Sequence, residues 1–78
     1  MKVQILGTGC PKCRALTDNA RQAIQELGLD AEIEKVESIA DIARMGVLMT
    51  PALAVDGDVK SSGHLLSVHQ VKKLLGAE

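Results

Sequence analysis

The chain has 78 residues and a formal net charge of −1, and 46% of its residues are hydrophobic although none is Phe, Tyr or Trp. This length predicts a single small domain over residues 1–78, with a core of aliphatic side chains and methionine. The balanced charge and the lack of aromatic rings argue against a nucleic-acid partner, which needs a basic surface or base-stacking side chains.

The N-terminal segment predicts a strand. Residues 2–6 form a short, mostly apolar run that stops at Gly7. This run is too brief for a signal peptide, and no apolar run in the chain reaches the roughly 18 residues of a membrane span. We therefore expect a cytoplasmic protein with no membrane partner.

A long helix is predicted to begin at Pro11. Apolar residues recur at helical spacing, and Gly28 follows the last of them at the position where a left-handed residue ends many helices. These apolar residues are Leu16, Ala20, Ala23, Ile24 and Leu27.

The middle of the chain predicts a strand and a short helix. Residues 31–36 carry apolar side chains among acids and are interpreted as the strand. Ser38 can cap the helix, whose buried stripe is predicted to contain Ile39, Ile42 and Ala43 and to end before Gly46. The acidic residues of this region predict a solvated face, made up of Glu32, Glu34, Glu37 and Asp41.

The C-terminal third predicts a hairpin and a last helix. Residues 52–55 are a continuous apolar run, typical of a strand covered on both faces, and Asp56-Gly57 predicts a tight turn into an edge strand at residues 58–61. Ser67 and Gln70 have the spacing of a capping box. The helix that follows is predicted to end at Gly76, and its apolar positions are Val68, Val71, Leu74 and Leu75.

The predicted order is therefore β-α-β-α-β-β-α. A strand, helix and strand at the start imply a right-handed crossover and a parallel pair, to which the hairpin adds two antiparallel strands. The fold class is α/β, with a mixed four-stranded sheet flanked by helices.

Two cysteines, Cys10 and Cys13, lie at the junction between the first strand and the first helix. With Cys10 at the N-cap and Pro11 at the first helical position, Cys13 lies on the same helix face, within the Cα separation that a disulfide spans. The helix N-terminus, which begins with Pro11, and the charge of Lys12 are expected to lower the pKa of Cys10, so Pro11 and Lys12 are the predicted pKa-tuning residues. We predict that Cys10 is the nucleophile and Cys13 the resolving thiol of a thiol–disulfide oxidoreductase.

Two motifs resemble the thioredoxin/glutaredoxin superfamily: Cys10-Pro11-Lys12-Cys13 after the first strand, and Thr50-Pro51 before the third. The likeness is greatest to small thioredoxin-like redox-active disulfide proteins. It implies a thioredoxin-like fold and a cis Pro51 beside the dithiol, with Thr50 as an extended edge for a substrate peptide. Gly9, directly before the first cysteine, is placed with them at the substrate-binding surface. From the residues alone, Pro51 is a proline tolerated at the start of a strand.

The resemblance also sets the expected partners: disulfide-containing protein substrates and an unidentified reductase as electron donor. We expect a monomer, no metal, and no cofactor besides the redox-active Cys10–Cys13 disulfide. The alternative is a binding protein, a copper or other soft-metal chaperone that uses the same two thiolates. The element order argues against it, because heavy-metal-associated domains end in a strand and this chain is predicted to end in a helix.

Overall fold

The computed structural model describes residues 1–77. Over these residues the chain alternates strands and helices in the predicted order, β-α-β-α-β-β-α, which is confirmed. The strands are β1 (Lys2–Leu6), β2 (Glu32–Val36), β3 (Ala52–Val55) and β4 (Asp58–Ser62). The helices are α1 (Pro11–Leu27), α2 (Ile39–Arg44) and α3 (Val68–Lys72), and a π-helical segment, Lys73–Ala77, follows α3.

The four strands form one mixed sheet in the order β2-β1-β3-β4, as predicted. β1 runs parallel to β2, with Leu6 opposite Val36, and antiparallel to β3. The β3–β4 hairpin turns at Asp56 and Gly57, whose φ angles of 51° and 85° suit the tight turn expected from this dipeptide. β1 lies inside the sheet, between β2 and β3, and α1 follows it along the chain. The N-terminus of α1 therefore lies at the carboxyl end of a central strand.

Helices cover both faces of the sheet and divide the core into two clusters. On one face, Val3, Ile5 and Leu53 pack with α1 and with the α3 region. On the other face, Leu6, Ala52 and Ala54 pack with Ile42 of α2 and with Val47. β3 is buried on both sides, which explains its uninterrupted apolar run.

The helices of residues 1–77 lack the combination of length and apolarity that a membrane crossing requires.

The stripe predicted for α2 is wrong at two of its three positions. Ile42 is buried, but Ile39 is 74% exposed and Ala43 also faces solvent. α2 has only six residues, so a single side chain reaches the sheet from within the helix, and Met45 continues the contact one turn later.

The last helical stretch begins and ends at the predicted residues. The Ser67–Gln70 capping box is present at its start. After Lys72 the chain continues through the segment Lys73–Ala77, in which Gly76 leaves the helical conformation with a φ of 121°. Val71 and Leu75 are buried, whereas Leu74 is 36% exposed.

Candidate active site

Cys10 and Cys13 lie at the N-terminus of α1, where the backbone fixes their relation. Cys10 is the N-cap residue, in an extended conformation, and Pro11 occupies the start of the helix. The Cys13 backbone N–H donates a hydrogen bond to Cys10 Sγ over 3.4 Å. Three residues after an N-cap, a side chain is expected on the same face of the helix, and the structure places Cys13 there.

The two sulfur atoms are 2.8 Å apart, and both cysteines are free thiols. They differ in exposure: Cys13 is 4% exposed, whereas Cys10 is only half-buried. The sulfur of Cys10, the outer thiol, can therefore be reached from solvent. The sulfur of Cys13, the inner thiol, is reached from Cys10 or through the groove described below.

The surroundings shift the pKa values of the two thiols in opposite directions. The pKa of Cys10 is lowered by the hydrogen bond from the Cys13 side chain, then by the backbone N–H of Cys13, with smaller help from the Lys12 backbone. Burial raises the pKa of Cys13, and its hydrogen bond to Cys10 raises it further. Cys10 is therefore the more acidic thiol of the pair, and Cys13 the one that holds its proton more strongly.

The hydrogen bonds that lower the pKa of Cys10 come from the Cys13 side chain and from backbone N–H groups, that of Lys12 among them. The effect expected of the Lys12 ammonium group stays a prediction. Lys12 is exposed, so water separates its charge from the sulfur and weakens it. The positive end of α1, whose first turn contains no acidic residue, favours the thiolate in the same direction.

This difference predicts unequal effects of two alanine substitutions on the pKa of Cys10. Cys13→Ala removes the hydrogen bond from the Cys13 side chain but keeps the backbone N–H, so the pKa of Cys10 should rise. Lys12→Ala also keeps its backbone N–H and should change that pKa much less. The pH dependence of alkylation of Cys10 by iodoacetamide measures both, and a larger rise in Lys12→Ala would contradict this account.

Gly7, at the end of β1, lies against the buried thiol. A Cβ atom added to Gly7 would overlap Cys13 Sγ, lie 3.3 Å from Cys13 Cβ and lie 3.8 Å from Cβ of Thr50. The Thr50 and Cys13 side chains thus meet at this glycine. The predicted substrate-binding position Thr50 is next to the dithiol, although it is distant in sequence.

The other two predicted substrate-binding residues also lie in loops at this edge of the sheet. The Thr50–Pro51 peptide bond is cis, as the resemblance implies, and Pro51 is buried, with its carbonyl accepting a hydrogen bond from Gly63. Gly9 has a φ of 89°, a left-handed conformation that favours glycine directly before Cys10.

A groove of about 290 Å³ opens beside the buried thiol. Cys13 and Thr17 line its α1 side, and the buried Thr17 hydroxyl donates to the Cys13 carbonyl over 2.9 Å. The side chains of Arg14, Lys35 and Glu37 bring charge to the groove. The predicted nucleophile Cys10 is not among the lining residues, so this groove gives solvent a route to the inner thiol only.

Two residues of this site were missed by the sequence analysis. Gly7 was expected only to mark the end of the first strand, and Glu37 was interpreted as part of a solvated face. The predicted parallel pairing of β1 with β2 could have placed both residues near this site, because the carboxyl ends of neighbouring parallel strands meet at one edge of a sheet. The register itself is known only from the structure. In the structure the Gly7 N–H donates to the Val36 carbonyl over 2.9 Å, so Glu37 follows directly beside Gly7.

A family model described as a thioredoxin domain matches residues 1–76. The chain belongs to the thioredoxin family. It is 48% identical over 75 residues to a thioredoxin of Methanothermobacter thermautotrophicus, a stretch that covers 96% of this chain and 97% of that protein. It is 42% identical over 73 residues to a thioredoxin of Methanocaldococcus jannaschii, covering 94% and 84% of the two chains. At the level of the family, this member is a protein disulfide oxidoreductase with a thioredoxin-like fold.

The comparisons give no support to the copper chaperone alternative, since both relatives are thioredoxins. The element order agrees with them, because the last element within residues 1–77 is helical. In that part of the chain, no group of three or more His, Cys, Asp or Glu side chains has an arrangement that could hold a metal ion.

Proposed function

We propose that this thioredoxin family member exchanges or reduces protein disulfides through a reversible Cys10–Cys13 pair, with Cys10 as nucleophile and Cys13 as resolving thiol. The observation that carries the proposal is the sulfur separation of 2.8 Å at a helix N-terminus, with the pKa of the outer thiol lowered and that of the inner thiol raised. In such a pair, the thiol with the lowered pKa attacks the substrate disulfide, and the thiol with the raised pKa resolves the mixed disulfide.

The proposed cycle has two exchange steps. The Cys10 thiolate attacks one sulfur of a substrate disulfide, and the other substrate sulfur leaves as a thiolate that takes a proton from solvent. The Cys13 sulfur then attacks Cys10 Sγ, and the second substrate sulfur leaves in the same way. The substrate gains two electrons and the protein retains a Cys10–Cys13 disulfide, which an external reductase returns to the dithiol.

The surface around the dithiol suits a polypeptide substrate. Gly9, Thr50 and Pro51 are proposed to line the binding surface, with the Thr50 backbone available to an extended peptide. The preceding residues, Leu48 and Met49, are 95% and 65% exposed, and exposed apolar side chains beside a reactive group are typical of a protein contact. A protein substrate would cover this apolar surface while its disulfide reaches Cys10.

We also infer that residues 1–78 act as one domain and as a monomer in the cytoplasm. The family match over residues 1–76 supports the single domain. A reducing compartment is consistent with two free thiols whose spacing suits catalysis. No cofactor besides the Cys10–Cys13 disulfide enters the proposed cycle.

Insulin reduction by dithiothreitol tests the proposed activity. The protein should accelerate the precipitation of the reduced insulin chains above the rate with dithiothreitol alone. The double variant Cys10→Ser, Cys13→Ser should return the rate to that of dithiothreitol alone while it keeps the fold. Equal rates with the wild-type protein and the double variant would overturn the proposal.

A further inference from the structure

The groove beside Cys13 has no part in the proposed cycle, and the role inferred for it here rests on the proposed function. That cycle leaves a Cys10–Cys13 disulfide, which must be reduced before the next turnover. Cys13 lines the groove, whereas Cys10 does not. A small molecule in the groove therefore meets the Cys13 sulfur without passing Cys10, although Cys13 is only 4% exposed.

The charges along the groove favour an anion. Arg14 and Lys35 line it, and the positive end of α1 lies beside it. Within residues 1–77 the lining includes one carboxylate, that of Glu37, whose Oε2 lies at the loop end, 3.6 Å from the position of a Cβ on Gly9. Lys35 pairs with Ile5 of β1, so it enters the groove farther from that loop. An anionic group is therefore stabilised at the lysine end.

The volume of the groove suits a small thiol. The groove encloses about 290 Å³. A water-sized group occupies about 30 Å³ in the liquid, so about six such groups, as many as the non-hydrogen atoms of a three-carbon mercaptocarboxylate, fit inside. Together with the charges, this volume indicates a ligand with a thiol at one end and an acidic group at the other.

The surroundings of the two cysteines favour attack on Cys13. A thiolate that attacks a disulfide expels the other sulfur, and the sulfur with the lower pKa leaves faster. Attack on Cys10 would expel Cys13, whose pKa is raised by burial. Attack on Cys13 expels Cys10, whose pKa the backbone N–H groups of Cys13 and Lys12 still lower while the Cys13 side chain carries the attacking molecule. The groove thus leads to the sulfur whose attack releases the better leaving group.

We propose that the groove admits small anionic thiols, which reduce the Cys10–Cys13 disulfide by attack on Cys13. The sulfur of the small thiolate bonds to Cys13 Sγ as the disulfide bond breaks, and the electron pair of that bond stays on Cys10 Sγ. A second small thiolate attacks the sulfur of the first, and Cys13 Sγ leaves as a thiolate that takes a proton from water. The two small thiols thereby lose two electrons and depart as a disulfide, and the protein regains its dithiol. Cys10 can also expel the first small thiol and restore the protein disulfide, so net reduction requires an excess of small thiol.

Reduction of the oxidised protein by two thiols of similar size measures the preference for an anion. 3-Mercaptopropionate is the anionic probe and 3-mercapto-1-propanol its neutral counterpart, and acid quenching followed by alkylation counts the free protein thiols over time. In Arg14→Gln, Lys35→Gln the ratio of the two rate constants, anionic over neutral, should fall about fivefold, the size of two exposed charge interactions. The ratio cancels any change that the variant makes in the intrinsic reactivity of the disulfide.

The matched control is Arg21→Gln, Lys60→Gln. It removes the same charge from two exposed positions outside the groove, one on α1 and one on β4. The ratio of the two rate constants should stay at its wild-type value in this control, because the lost charges do not face the bound thiol.

Cys10→Ser identifies the sulfur that the groove exposes. Its remaining thiol, Cys13, should form a mixed disulfide with 3,3′-dithiodipropionate, the disulfide of the anionic probe, at about pH 9, where a larger fraction of a thiol is ionised. Because thiol–disulfide exchange is reversible, this adduct is the intermediate of the proposed reduction. Adding Arg14→Gln, Lys35→Gln to Cys10→Ser should slow its formation, and mass spectrometry of the intact protein follows it.

The outcomes separate the role of the groove from the proposed function. If Cys10→Ser forms no adduct while the wild-type protein reduces insulin normally, only the role of the groove is overturned. An unchanged ratio in Arg14→Gln, Lys35→Gln overturns it too, and so does an equal fall in the control variant, since the net charge of the protein would then explain the preference. Failure of the wild-type protein to accelerate insulin reduction would instead refute the proposed function.

Discussion

Cys10→Ser is expected to abolish disulfide reduction, whereas Cys13→Ser is expected to arrest the protein as a mixed disulfide with its substrate. The serine hydroxyl introduced in the first variant would stay protonated at neutral pH, so no nucleophile would remain at the exposed position. In the second variant Cys10 can still attack, but no second thiol lies within reach to release the substrate.

The difference between the variants follows from the geometry of the pair. Cys13 is 4% exposed, so it cannot replace Cys10 at the surface where a protein disulfide arrives. Cys10 is half-buried and meets that surface directly. In Cys13→Ser a hydroxyl, which is a stronger hydrogen-bond donor than a thiol, replaces the Cys13 side chain, so Cys10 should keep a lowered pKa and attack should continue.

Insulin reduction and nonreducing gel electrophoresis measure the two effects. Cys10→Ser should reduce insulin at the rate of dithiothreitol alone and form no covalent adduct. Cys13→Ser should give a covalent adduct whose disulfide bond dithiothreitol reduces. The reverse pattern, with adducts formed by Cys10→Ser, would exchange the roles of the two cysteines.

The fold was predictable where local chemistry determines the chain's path. The left-handed Gly28 ends α1, the Asp56-Gly57 turn closes the hairpin, and Ser67 begins α3 with its capping box. Each of these signals depends on a few adjacent residues, whose backbone preferences persist in any tertiary context.

The errors lie where packing against distant residues decides the result. Ile39 and Ile42 have the same hydrophobicity and lie three residues apart, yet only Ile42 meets the sheet. The spacing alone cannot distinguish them, because the orientation of a six-residue helix is set by the contacts of its neighbours.

Only the part of the candidate site that is contiguous in sequence was predictable. Cys10, Pro11 and Cys13 form one turn of helix, so their geometry follows from their spacing. The contribution of the Lys12 backbone N–H was missed, because sequence shows a charge more readily than the direction of a backbone group. The groove that brings Glu37 near Cys13 depends on the register of two strands separated by the whole of α1, which one sequence does not specify.

Gly7→Ala is expected to destabilise the protein and to disturb the dithiol together. The new methyl group would occupy the position of the Cys13 sulfur, and Gly7 is buried, with its N–H bonded to the Val36 carbonyl at 2.9 Å. β1 lies between two neighbouring strands, so it cannot move away easily. The strain should reduce the free energy of unfolding by about 1–3 kcal/mol, as extra carbon atoms in packed cores do.

The same displacement should weaken the activation of Cys10. If Cys13 moves to make room, its side-chain hydrogen bond to Cys10 lengthens, and the pKa of Cys10 rises toward the ordinary value for a thiol. Urea unfolding gives the loss of stability, followed by circular dichroism because the chain has no Trp or Tyr. The pH dependence of Cys10 alkylation gives the change in the thiol.

Gly28→Ala is the matched control for this substitution. Gly28 has a φ of 66° and no atom within 4 Å of an added Cβ, so alanine there should cost about 1 kcal/mol through the left-handed backbone alone. Its Cys10 should keep the wild-type pKa, since α1 separates Gly28 from the dithiol. Wild-type stability and wild-type thiol reactivity in Gly7→Ala would contradict the close contact between Gly7 and Cys13. Loss of stability in both variants, with a raised Cys10 pKa in Gly7→Ala only, would show that Gly7 is required because the buried thiol occupies the space of a side chain.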